Sequence, residues 1–341
     1  MNILIFGCGS IGAHHAHAAR SLKFTVFITD INPIQMEYME NKLYPSRYGK
    51  WDKKIIFLKY KDLFKTKKNF DLVIIGTSPI SHIKVLKKVI NKINYKKILV
   101  EKPLSVYNQN LSFLDNKNNN KNIYCGFNHS ISPSILQLFE LIKKKNIGKI
   151  KIVKINWKED FKLVLKAHPW ISSFKNAYFS NIKKGGGVLH EYSHAIHLGI
   201  CLKNIILPNE NIKISHSINL KKIGNSSYDN KCTIKFKNKD QIIEINIDAL
   251  ANPPKKNLII YGEKGKIKWD RDMKNLEEKI TFLSKKKCFI KKFKVTRPSD
   301  FINQLKILLK NKKNLHSRIT SINSAIEVMK IIKDVLKLKY V

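Results

Sequence analysis

Arginine and acidic side chains are scarce in this chain. Of its 65 basic residues only five are arginine, and 25 acids leave a formal net charge of +40 over 341 residues. So large a positive excess ordinarily points to nucleic acid or an anionic membrane. The shortage of arginine argues against specific nucleic-acid recognition, because bidentate contacts to phosphate and guanine are the work of guanidinium groups. Lysine is instead spread along the whole chain among asparagine and isoleucine, a pattern we attribute to biased base composition in the coding DNA. It favours an anionic small substrate electrostatically. Cysteine is also sparse: Cys8, Cys125, Cys201, Cys232 and Cys288 stand singly. That spacing offers neither a disulfide framework nor a cysteine zinc site. No run approaches the roughly 20 apolar residues of a membrane span, and Met1 leads straight into a strand. The expectation is a cytoplasmic protein with no membrane contact.

What the sequence does hold begins at its first residues. Ile3, Leu4, Ile5 and Phe6 form a short, uncharged apolar run, as in a central parallel strand covered on both faces. Gly7-Cys-Gly-Ser-Ile-Gly12 follows at once and leads into a helix from about Ile11 to Leu22. In such a turn Gly7 allows a tight exit, Gly9 lets a pyrophosphate approach the backbone, and Gly12 lets the helix pack closely. Ser10 and Ile11 open the helix, whose N–H groups and positive dipole end would face the phosphates. A second apolar strand, Thr25–Thr29, ends in Asp30, near the position of a carboxylate that bonds a ribose 2′-hydroxyl. An acid there disfavours a 2′-phosphate, so the expected cofactor is NAD in preference to NADP.

Further apolar strands near 54–58, 70–76, 97–101 and 122–127 alternate with helical segments, which predicts a parallel doubly wound α/β sheet over residues 1–128. Asn116–Asn122 is polar and low in complexity, as in a loop. Beyond the helix Pro133–Lys145 the strands follow one another without intervening helices. They are predicted at 149–158, 211–220, 232–237, 241–249, 258–261, 265–269 and 287–295. Glu244-Ile-Asn-Ile-Asp248 alternates as a half-covered antiparallel strand does. Residues 129–341 are therefore expected to form an α+β domain with a large, mainly antiparallel sheet. Two last helices, Asp300–Leu309 and Ser321–Leu338, are free to pack back on the first domain.

Two places carry candidate chemistry. Lys102 ends a strand of the nucleotide domain, where a lysine can hold a hydroxyl or carbonyl oxygen and exchange its proton. Gly185-Gly-Gly-Val-Leu-His-Glu-Tyr-Ser-His194 is a glycine turn opening an apparent helix, with Glu191 and His194 on one face and His190, His194 and His197 along a neighbouring one. One reading is acid/base chemistry by His194 tuned by Glu191. A rival is zinc, since His190-Glu-Tyr-Ser-His194 matches His-Glu-x-x-His. A third ligand is lacking, however, because Glu210 follows a Leu207-Pro208 break; no metal is expected.

Together these residues resemble the Gfo/Idh/MocA oxidoreductases, relatives of glucose–fructose oxidoreductase and inositol dehydrogenase. The resemblance rests on Gly7–Gly12 with His15, Thr77-Ser-Pro-Ile-Ser-His82, Glu101-Lys-Pro103, Gly126-Phe-Asn128 and Gly262-Glu-Lys-Gly265. Gly185–His194, with His168-Pro-Trp170 before it, is similar to members associated with surface-polysaccharide and nonulosonic-acid pathways. The resemblance implies hydride transfer between nicotinamide and a carbinol carbon of a sugar, a nucleotide sugar or a cyclitol. It places Thr77, Ser78, Pro79, His82, Glu101, Lys102 and Asn128 at the cofactor. Trp170, His190, Glu191, His194 and Lys102 fall at the substrate, with Lys102 and His194 as acid/base groups. It also implies a homodimer or homotetramer through the second-domain sheet. Three positions depart from the pattern: Glu191 replaces an aspartate, His197 an acid, and His129 an arginine. An idle NAD-binding protein is the remaining alternative.

Overall fold

A computed structural model describes every residue except 66, 116–119, 121, 167–170, 209–210, 286, 310–318 and 338–341. The described residues divide into two compact units. One comprises Met1–Ser105, Gln109–Asn128 and Thr296–Ile326, the other Val106–Asn108, His129–Val295 and Glu327–Val341.

The first unit is built on strands β1 (Asn2–Phe6), β2 (Thr25–Thr29), β3 (Ile55–Phe57), β5 (Leu72–Ile75), β7 (Ile98–Val100) and β8 (Ile123–Cys125). A two-residue pair, β4 (Asn69–Phe70) and β6 (Asn94–Tyr95), stands apart from that sheet. The six strands are all parallel in the order β3-β2-β1-β5-β7-β8, a doubly wound sheet that reverses direction beside β1. Ile3, Leu4 and Ile5 are wholly buried at its centre, because helices cover both faces. One cover is the helix Ser10–Ser21, whose Ala13, Ala16, Ala18 and Ala19 keep it close to the sheet. The helix Arg297–Leu309 packs on that helix through Phe301, Leu305 and Leu308.

The second unit carries an eight-stranded sheet. Its strands are β9 (Ile150–Lys158), β10 (Lys213–Ile223), β11 (Ser226–Lys237), β12 (Ile242–Asp248), β13 (Lys255–Gly262), β14 (Gly265–Asp272), β15 (Glu277–Ser284) and β16 (Cys288–Lys294). Their order is β10-β11-β12-β9-β13-β14-β15-β16. Every pairing is antiparallel except β12 with β9, which is parallel. Val153, Ile155, Trp157, Ile243, Ile245 and Ile247 point to the covered face, where the helices Ser193–Ile206 and Pro133–Lys143 pack. Their neighbours on the same strands, Lys154, Asn156, Glu244 and Asn246, point away.

Two features depart from the sequence reading. Strand β15 was not expected, because Glu277-Glu-Lys hides its alternation; Glu278, Ile280 and Phe282 are the inward positions. The histidine segment is also two helices, Val188–Glu191 and Ser193–Ile206, and not one. The chain turns at Tyr192 (φ −99°, ψ 25°), whose hydroxyl donates to the carbonyl of Glu159 at 2.7 Å. Among the described residues no helix is long and apolar enough to cross a membrane.

Candidate active site

In the first unit the glycine turn is set by steric exclusion. Gly7 has φ +103°, and a Cβ there would stand 2.7 Å from the carbonyl oxygen of Gly76. A Cβ on Gly12 would stand 1.9 Å from the carbonyl oxygen of Gly7, so strand exit and helix entry can touch only without side chains. Gly9 differs: nothing lies within 4 Å of its Cβ position. That opening faces the start of the helix Ser10–Ser21, whose first-turn N–H groups have no partner within the helix. Arg47 braces the same turn, its Nη1 donating to the hydroxyl of Ser10 at 2.9 Å and to its carbonyl at 3.1 Å. Ile11 packs against the core of the unit.

Asp30 closes the other side. One carboxylate oxygen accepts the N–H of Cys8 at 2.8 Å, and the other accepts the N–H of Asn32 at 2.9 Å. Asn32 in turn caps the helix Pro33–Tyr38. The carboxylate is thereby fixed at the loop by single bonds to each oxygen, with further lone pairs left for hydroxyl groups.

Glu101 and Lys102 leave the sheet at the carboxyl end of β7. Glu101 is buried and its Oε1 meets Nε2 of the fully buried His15 at 2.6 Å. The other oxygen accepts the backbone N–H of Lys102 at 3.3 Å. Gly126 makes room for this carboxylate, since a Cβ there would lie 2.5 Å from it. One buried pair thus ties the helix of the nucleotide loop to the backbone of Lys102, whose side chain is half-buried. Next to it, His82 holds the carbonyl oxygens of Pro103 and Thr77, each at 2.9 Å. Burial pushes its basicity down, and the carbonyls, which can only accept, oppose that shift. Thr77 accepts from Ser81 at 2.8 Å, Ser78 is the N-cap of the helix Pro79–Lys92, and Pro79 is its first residue. Asn128 is the last residue of the first unit's Gln109–Asn128 segment.

In the second unit the histidines of the glycine segment have separate surroundings, and His194 is paired with His129. His190 is fully buried, with Nδ1 2.9 Å from the carbonyl oxygen of Gly186; a carbonyl only accepts, so Nδ1 carries the hydrogen. Glu191 accepts the hydroxyl of Tyr178 at 2.7 Å. Burial first, and the charge of Glu191 second, push the Tyr178 phenol far up. His194 is 8% exposed, and the ring of His129 stands edge to face with it at 4.5 Å and 89°. Trp157 lies 6.0 Å from His194. His197 is held elsewhere, by the hydroxyl of Ser130 at 2.7 Å. Trp170 lies outside the described residues. The break at Tyr192 also separates His190 from His194, so they do not occupy successive turns of a single helix as a zinc-peptidase motif requires. Among the described residues no group of three His, Cys, Asp or Glu side chains is placed to hold a metal ion.

Sequence reasoning missed two supports of this segment. Asp229 is fully buried; its Oδ2 accepts the N–H of Leu189 at 2.8 Å, capping the helix that carries His190 and Glu191. Its Oδ1 occupies the place of a side chain on Gly187, 1.7 Å from where a Cβ would be. Arg271 is the other, donating to Nδ1 of His129 at 2.9 Å and to Glu278 at 2.6 Å. The rarity of arginine was the available signal. Arg20 spreads Nε and Nη1 over two acceptors, and Arg47 and Arg271 each place a single Nη1 on two.

Residues 1–123 match a family model described as the oxidoreductase family GFO_IDH_MocA, NAD-binding Rossmann fold. Among curated proteins no sequence matches the chain. Solved structures align over nearly all of it. A levoglucosan dehydrogenase in complex with NADH and levoglucosan is 15% identical, with 99% of this chain and 96% of that one covered and a TM-score of 0.73. An NAD-binding oxidoreductase from Klebsiella pneumoniae is 13% identical over 99% and 96%, with a TM-score of 0.73. GenD2 from gentamicin A biosynthesis, in complex with NAD, is 13% identical over 99% and 93%, with a TM-score of 0.70. Residues 1–123 thus match the NAD-binding Rossmann domain of the Gfo/Idh/MocA oxidoreductases, and the whole chain has the fold of these structures.

Proposed function

We propose that this chain is an NAD-dependent dehydrogenase acting on a carbinol carbon of a sugar or nucleotide sugar, with NAD used in preference to NADP. The observation that carries this reading is the match of residues 1–123 to an NAD-binding oxidoreductase family. The turn fits such a cofactor: the space at Gly9 admits a pyrophosphate against the helix start, and the carboxylate of Asp30 suits ribose hydroxyls while repelling a 2′-phosphate. When bound, the nicotinamide supplies a hydride acceptor. We assign Lys102 to the substrate oxygen, His194 to the hydroxyl proton, and Glu191 and His190 to the substrate. Glu101 and His15 act behind Lys102 by fixing its backbone. The net charge of +40 favours an anionic sugar nucleotide. The resemblance of Gly185–His194 supports a role in surface-glycan synthesis, and the open face of the second sheet is assigned to a homodimer or homotetramer.

The test is a screen of free and nucleotide sugars followed by nicotinamide absorbance. Turnover of a sugar is expected, and Lys102→Ala should lower kcat by roughly 10²–10⁴. NAD binding with no turnover on any sugar or cyclitol would leave an idle binding protein instead. Light scattering of the purified chain should give a dimer or tetramer mass; a monomer would overturn the assembly.

A further inference from the structure

The second unit contains a chain of polar groups, buried at one end, that ends on the ring beside His194. It starts at Glu278, which is fully buried on β15. One of its oxygens accepts the hydroxyls of Ser134 and, at 3.2 Å, Ser132. Ser134 is itself fixed by the indole N–H of Trp269 at 2.9 Å. The other oxygen of Glu278 receives Nη1 of Arg271 on β14 at 2.6 Å. The same nitrogen lies 2.9 Å from Nδ1 of His129.

A guanidinium has five donors and no acceptor. The bond to His129 therefore exists only while Nδ1 presents a lone pair. The single ring hydrogen then sits on Nε2, and a second proton on Nδ1 would break the bond. Among the described residues the ring meets Arg271, which Glu278 holds from behind, His194 at 4.5 Å and the indole of Trp157 at 5.2 Å.

We infer that Arg271 is a positioning residue: anchored by Glu278, it locks His129 as the neutral Nε2–H tautomer against His194, and so leaves His194 as the ring of the pair that takes up a proton. The two rings then differ in role although they are chemically alike. His129 is a permanent donor with fixed orientation, and His194 is the group whose protonation state changes. This rests on the reading of His194 as the acid/base group, but its test reads the rings themselves.

The experiment is long-range ¹H–¹⁵N correlation of the imidazole rings in the full chain, recorded across a pH series. For the native sequence, His129 should show a hydrogen on Nε2 and none on Nδ1, unchanged at pH values where His194 has become doubly protonated. Arg271→Lys keeps a cationic donor and should retain the tautomer. Arg271→Met combined with Glu278→Gln avoids stranding a buried carboxylate, and should release His129 to mixed tautomers or to protonation. In a turnover assay the double variant should lose roughly tenfold in kcat with KM changed less than twofold, and Arg271→Lys should recover part of it. A hydrogen on Nδ1 of His129 in the native protein, or a native His129 that titrates together with His194, would overturn the proposal. If the double variant does not fold, the native and Arg271→Lys spectra decide alone. The tautomer is measured without substrate, so a failure to turn over any sugar would count against the proposed activity and not against this lock.

Discussion

The chain contains two glycine turns that each open a helix, and they solve the same electrostatic problem differently. At Gly7–Gly12 the position beside the helix start is open, since a Cβ on Gly9 would meet nothing within 4 Å. At Gly185–Gly187 the corresponding space is filled by the chain. A Cβ on Gly186 would stand 2.4 Å from the carbonyl of Tyr178, and one on Gly187 would overlie Oδ1 of Asp229. A helix start attracts an anion. One turn leaves that place open, and the other receives a carboxylate from its own β11. Glycine spacing alone does not distinguish a binding loop from an internally capped one; what fills the missing side chain does.

Exchanging the glycines for alanine separates the two cases most sharply. Gly187→Ala should cost about 3 kcal/mol or more, because the new methyl meets a buried carboxylate at a backbone with φ +84°. Denaturant unfolding measures it, and a midpoint equal to that of the native chain would break the comparison. Asp229→Ala should follow, at about 1–3 kcal/mol for the lost cap, with Asp229→Asn recovering much of it because an amide oxygen can still accept from Leu189. The pH dependence of this group has a definite sign. Burial pushes the Asp229 carboxyl up from 3.8 to about 7. Its contribution to stability is therefore fully present below about pH 4 and is lost as pH rises through about 7. Between pH 5 and 8 the native chain should lose stability relative to Asp229→Asn.

The first unit should show the opposite slope through His82. Burial lowers its folded basicity below the ordinary value of 6.5, so its contribution is present above that pH and lost as pH falls below it. Denaturant midpoints of His82→Gln should accordingly fall less steeply than those of the native chain between pH 7 and 5. Equal slopes would mean that His82 gains its proton without leaving the two carbonyls it now holds.

The difference between the turns also explains how much was legible beforehand. The six-stranded sheet could be read from the sequence because buried parallel strands are continuous apolar runs, and Ile3–Phe6 and Leu72–Ile75 declare themselves. The close contact of Gly12 with Gly7 and the bond of Asp30 to Cys8 were readable for a related reason: they are set within one strand, turn and strand. In the second unit the deciding contacts are distant in sequence. Asp229 reaches Leu189 across 40 residues, and Arg271 reaches His129 across 142. No periodicity records such a pairing. Strand β15 was hidden because its inward Glu278 exchanges solvation for Arg271, Ser132 and Ser134, which a hydrophobic pattern cannot anticipate. The break at Tyr192 has the same origin, since its hydroxyl is fixed by Glu159, 33 residues away.

Gly9→Ala is the smallest perturbation of the fold and the most direct probe of the open turn. Gly9 sits at φ −82°, a conformation that alanine adopts without strain, and its methyl would enter empty space. Restricting the unfolded chain should leave stability unchanged or raise it by about 0.5 kcal/mol. Under the proposed NAD binding the same methyl would meet the pyrophosphate at the helix start, so the Kd for NAD, followed by titration of protein fluorescence, should rise at least tenfold, while the unfolding midpoint stays in place. Undiminished NAD affinity would show that the opening at Gly9 is not where the phosphates lie, and the contrast between an open turn and a self-capped one would lose its functional meaning.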